Sequence, residues 1–106
     1  MVLVGCNAGL PEDAKQVILK QYTNPGVANW YRNVDINLVG SGSTARTQYD
    51  QILCLKVTYE YSWPDGVWRR YKESDILGRQ GNLWSGGRTD ENAWKRFSCP
   101  GEYESS

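Results

Sequence analysis

Proton transfer near neutral pH usually draws on histidine, and this chain of 106 residues contains none. Serine- and cysteine-based triads therefore lack their usual base. Carboxylates remain, and a glycosidase-like pair would need two of Glu60, Asp65, Glu73, Asp75, Asp90 and Glu91 to flank a substrate. Each of these lies at a turn or among polar neighbours, the setting of a solvated carboxylate. The glycine-rich stretch Gly78-Arg79-Gln80-Gly81 and Gly86-Gly87-Arg88 matches neither phosphate-loop spacing. No CxxC pair offers zinc-ligand spacing. The sequence thus points away from an enzyme and assigns no catalytic residue, no metal ligand and no cofactor.

The densest cationic and aromatic cluster is Trp68-Arg69-Arg70-Tyr71-Lys72, a composition that can stack bases and track phosphates. On a strand, however, Trp68, Arg70 and Lys72 face one side while Arg69 and Tyr71 face the other, so no single platform forms. Lys+Arg 12 against Asp+Glu 12 leaves no basic excess for a polyanion. Nucleic-acid binding is not expected. Five Trp and seven Tyr against one Phe and one Met make the large side chains amphipathic, with a polar atom available to water or a partner. Trp, Tyr and Arg dominate protein interfaces, and the candidate protein-binding residues are Trp63, Trp68, Arg70, Trp84 and Arg88. For each tryptophan the competing reading is packing in the core. A sugar-binding module using exposed Trp is a third class.

Leu3-Val4-Gly5-Cys6 resembles the lipobox of small bacterial lipoproteins. The resemblance implies cleavage before Cys6, lipidation of its thiol with two acyl chains, and an envelope location, since two chains anchor stably where one does not. Met1 to Gly5 then read as the stub of a signal segment, and Asn7, not being aspartate, implies the outer membrane, with the domain facing the periplasm. The partner implied is another envelope or secreted protein, in an envelope machine or as the target of an inhibitor or immunity factor. Cys6 can alternatively be a small core residue ending a strand Val2–Val4. If Cys6 carries lipid, Cys54 and Cys99 are left to form a disulfide; the alternative is a buried thiol at Cys54 within Ile52-Leu53-Cys54-Leu55.

The elements that position these residues follow from periodicity. Pro11, Glu12 and Asp13 open a helix that stops at Asn24-Pro25-Gly26, with Ala14, Val17, Ile18 and Tyr22 on its covered face. From Trp30 the period becomes two, with Trp30, Val34, Ile36 and Leu38 on one side. A long strand from about 46 to 63 carries Leu53, Leu55, Val57, Tyr59, Tyr61 and Trp63 on one face. Pro64-Asp65-Gly66 turns it into an antiparallel strand from Val67 to about Ile76. Gly78 to Gly87 reads as a loose stretch, and 92–99 as a last strand in preference to a short helix capped by Thr89 or Asp90. The expected fold is α+β, one N-terminal helix packed on a three- to four-stranded antiparallel meander. Its element order is similar to cystatin-like and NTF2-like domains, which keeps a small enzyme or ligand-binding domain as an alternative. The divisions are 1–9 as signal stub and anchor linker, 10–101 as one domain, and 102–106 as a frayed tail.

Overall fold

The computed structural model describes residues 9–105. Helix α1 (Glu12–Thr23) begins after Pro11, places Glu12 and Asp13 at its positive end and Lys20 in its last turn, and buries Ala14, Ile18 and Tyr22. A short 3-10 turn (Ala28–Trp30) leads into strand β1 (Tyr31–Ser41). Strands β2 (Gln51–Ser62), β3 (Trp68–Gln80) and β4 (Leu83–Arg88) follow, then helix α2 (Glu91–Arg96). The sheet is a four-stranded antiparallel meander in the order β1-β2-β3-β4.

Alternation on β2 organises the molecule. Leu53, Leu55, Val57 and Tyr59 are buried on the side facing α1, where they meet Ile18, Tyr22, Ile36, Leu77 and Trp84. Ile52 and Cys54, of opposite parity, are buried too, because α2 and the chain after it cover the second face. Cys54 is bonded to Cys99 there. The hairpin between β2 and β3 closes as the Pro64-Asp65-Gly66 motif requires: Gly66 N donates to Trp63 O at 2.8 Å, Trp63 N to Val67 O at 3.1 Å, and Gly66 takes φ 82°.

Several expectations are corrected. Trp30 does not join the buried parity of β1; it ends the 3-10 turn and is 51% exposed. Residues 46–50 form turns, so the long strand starts at Gln51. The stretch after Gly78 is not loose. β3 runs on to Gln80 and pairs with β4, because Gly78 lets the Tyr49 ring lie against the strand and Gly86 lets β4 approach the Ile76 carbonyl. A Cβ at Gly78 would lie 2.6 Å from Tyr49, and one at Gly86 2.2 Å from the Ile76 oxygen.

Residues 92–99 are not a strand either. The Asp90 carboxylate accepts from Ala93 N at 2.8 Å and caps α2, while Trp94, only 2% exposed, anchors the helix with its indole N–H on the Gly101 carbonyl at 3.1 Å. The tail is docked rather than frayed. β4 pairs no further along β3 than Asp75, and Glu104 takes up the vacated edge: Ser74 N donates to Glu104 O, and Glu104 N to Ser74 Oγ, both at 2.8 Å. Lys56 adds bonds to the Glu102 carbonyl and the Glu104 carboxylate.

The disulfide closes a separation of 45 residues, for which chain entropy gives about 4 kcal/mol of stabilisation. Replacing both Cys54 and Cys99 by alanine should lower the urea midpoint and strip hydrogen-exchange protection from α2 before the β2–β3 ladder. Simultaneous loss of protection in both would show that α2 is held independently of the bond.

Candidate functional site

Two constellations stand out, and a ladder of rings connects them. At the hairpin end of the sheet, beyond the C-terminus of α1, Trp30, Tyr61 and Trp63 form a partly exposed patch on the α1-facing side. Trp30 meets Tyr61 at 6.2 Å and Tyr61 meets Trp63 at 5.8 Å, both nearly edge-on. Trp63 is 43% exposed. Its indole N–H donates to the Tyr71 hydroxyl at 2.7 Å, and the Arg69 guanidinium lies 5.4 Å from its ring centre, itself held by Asp65 at 3.2 Å. Inward from this patch run Tyr31, Tyr71, Tyr59 and Tyr22, with neighbouring rings 5.0 to 5.7 Å apart.

The ladder ends on a buried polar cluster beneath α1. The Tyr59 hydroxyl donates to Glu73 Oε1 at 3.1 Å, Arg88 Nη2 donates to the Tyr59 oxygen at 3.2 Å, and Arg88 Nε lies 3.8 Å from Glu73 Oε2. Glu73 is 3% exposed and Asp75 fully buried, and neither Asp75 oxygen has a hydrogen-bond partner among the described residues. Burial pushes the Asp75 carboxyl up to about 7; Arg88 opposes the rise and Glu73 adds to it. Burial, with Asp75 next, also pushes Tyr22 up to about 12 against the pull of Arg88, and burial with Glu73 raises Tyr59.

This cluster corrects the view that Glu73 and Asp75 are solvated. The signal was in the register. Tyr71, Glu73, Asp75 and Leu77 share one parity and oppose Tyr59, Val57, Leu55 and Leu53, so the carboxylates had to enter the covered face. The other carboxylates are as exposed or half-exposed as expected. Hydrogen bonds from Arg32 and Asn33 hold Glu60 below its ordinary range, the latter two brought to one side by a bulge in β1. The Val67 amide and Arg69 do the same for Asp65. Asp90 caps α2, and Glu91 pairs with Lys95 at 3.4 Å.

The candidate binding residues do not share one surface. Trp63 is on the α1-facing side, whereas Trp68 and Arg70 oppose Ser62 and Glu60 on the other face. Trp68 is half-buried with the Arg32 guanidinium 4.2 Å from its ring centre, and Arg70 is exposed. Trp84 is corrected outright: at 6% exposure it packs in the core under α1. Arg88 is exposed but directed onto Glu73 and Tyr59. Trp30 was missed, because a residue ahead of a strand takes no parity from it. Cys6 lies outside the described residues. No helix among the described residues is long and apolar enough to cross a membrane.

Hollows in the surface are lined by other residues, including Thr58, Arg70, Tyr71 and Lys72 on the hairpin and Glu91, Trp94, Lys95 and Tyr103 around α2; Glu73 and Asp75 line none of these. Both carboxylates are buried on the α1-facing side of the sheet. Comparison with protein-family models, with curated proteins and with solved structures finds no match for this chain.

Because the folded Asp75 holds its proton up to about pH 7, against an ordinary value of 3.8, the folded state is favoured fully below about pH 4. That advantage, roughly 4 kcal/mol in scale, is lost as pH rises towards 7. Asp75→Asn should flatten the fall in stability between about pH 4 and 7 and leave the variant more stable than the parent at pH 8. Denaturation midpoints measured across that range check it; parallel curves would remove Asp75 as the cause.

Proposed function

We propose that this chain is a non-catalytic binding protein of the bacterial envelope, tethered by a lipid on Cys6 to the outer membrane facing the periplasm, which recognises another envelope or secreted protein. The supporting observation is the Trp30–Tyr61–Trp63–Arg69 patch. It combines residue types that anchor protein interfaces, and its side chains are held in place before any partner arrives by the Tyr71 and Asp65 contacts, which reduces the ordering cost of association. Edge-on packing and an arginine over Trp63 make the patch corrugated, a shape suited to interdigitating side chains more than to the flat face of a sugar. The Cys54–Cys99 bond fits an oxidising compartment and leaves Cys6 as the third thiol, in keeping with lipidation. Burial of Glu73 and Asp75 beneath α1 weighs against the alternative of a small enzyme or ligand-binding domain.

Intact-mass analysis of the protein from its host should show a diacylglycerol mass on a chain beginning at Cys6. Cross-linking capture from envelope extracts should lose its specific partner with Trp30→Ala plus Trp63→Ala while thermal stability changes little. Trp84→Ala, by contrast, should cost about 3–5 kcal/mol of folding stability. An unlipidated native chain would overturn the location, and undiminished capture by the double variant would overturn the surface.

A further inference from the structure

At the opposite end of the sheet from the aromatic patch, and on the α2-covered face, two neighbouring hollows share Tyr49, Arg96 and Phe97 in their linings. One, of 690 Å³, is bordered by residues 45–49 and by Arg96; the other, of 310 Å³, runs over Ile52, Ile76 and Gly78 to the stretch 85–89 of β4 and its end. The first has a cationic rim, Arg46 and Arg96. The second has an apolar floor, built where Gly78 admits the Tyr49 ring and where Ile52 is buried. The walls are tied down: Ser43 N donates to the Phe97 carbonyl, and the disulfide joins β2 to Cys99 just after α2.

Most cations of the sheet have a carboxylate in reach, Arg32 with Glu60, Arg69 with Asp65, Arg79 with Asp50 and Arg88 with Glu73. Arg46 and Arg96 do not; no ion pair involves either among the described residues, and Arg96 contacts only the Phe97 ring, 5.0 Å away. Two guanidinium groups border one hollow in a chain whose acidic and basic residues balance, and a guanidinium binds a carboxylate through paired parallel hydrogen bonds. An anion alone would leave the adjoining apolar floor unused.

We propose that this trough binds the free C-terminus of a polypeptide whose last residue is large and apolar, the carboxylate on Arg46 and Arg96 and the side chain over Tyr49, Phe97 and Ile76. Each hollow is within the range of ligand sites, about 300–1,000 Å³, and carboxylate capture at a peptide end is a recurring mode of recognition. The site is separate from the aromatic patch and does not depend on it.

The test is an NMR titration of the purified protein with N-acetyl-Gly-Gly-Phe, the same tripeptide as its C-terminal amide, and inorganic phosphate. The acid should give saturable shifts at the amides of 46–49, 85–89 and Arg96. The acid should bind Arg46→Gln or Arg96→Gln about tenfold more weakly, each having lost one charge-assisted contact, and the amide, which has lost its charge towards both arginines, should bind the parent protein more weakly still. Trp63→Ala should bind the acid unchanged. Equal binding of acid and amide, phosphate alone reproducing the shifts, or no saturable shift in a folded sample would each overturn the proposal.

Discussion

The structure depends on one constraint, that β2 is apolar on both of its faces. Leu53, Leu55, Val57 and Tyr59 need a cover on one side, Ile52 and Cys54 on the other, and a single helix cannot supply both. In a chain this small, the fraction of surface removed from water is modest, so leaving either face of the central strand wet would forfeit a large part of the core. α1 solves the first half by packing Ala14, Ile18 and Tyr22 across the sheet. The second half falls to α2, too short at six residues to be stable alone, which is why it is anchored by Trp94, capped by Asp90 and cross-linked through Cys99.

Covering β2 with α1 has a chemical consequence on β3. The residues opposite its apolar positions include Glu73 and Asp75, and enclosing them raises the cost of charge. The fold answers at Glu73 with Tyr59 and Arg88, and at Asp75 by moving the loss of its proton up to about pH 7. Tyrosines spread this polar interior outward: each ring is apolar enough for the core, and the hydroxyls of Tyr59 and Tyr71 are used, on Glu73 and on the Trp63 indole respectively. The exposed patch is thus the outer end of a ladder of ring contacts that begins inside the molecule.

Much of the architecture was legible in the residues. The apolar alternation of β2, the helical spacing of α1 and the Pro64-Asp65-Gly66 turn each state a local preference that burial then reinforces, and the α+β meander follows from them. The pairing of Cys54 with Cys99 was one of two open readings. Less legible were β4 and α2. β4 contains adjacent glycines that read as a loop, yet Gly86 is there because the Ile76 carbonyl of β3 comes close, and Gly87 because the Gln21 side chain does. α2 had a cap and helical spacing, but its neighbourhood to the hairpin argued for a strand.

The sequence by itself determined which residues alternate, where the chain turns, and which chemistries lack their reagents, because those are properties of spacing and residue type. Only the tertiary structure decided which face of each strand is covered. That choice turned Glu73 and Asp75 from solvated carboxylates into buried ones, withdrew Trp84 from the surface and left Trp30 on it. It also brought Arg46 and Arg96, far apart along the chain, onto one hollow. Parity says which residues share a side, but desolvation depends on what the rest of the chain lays over that side.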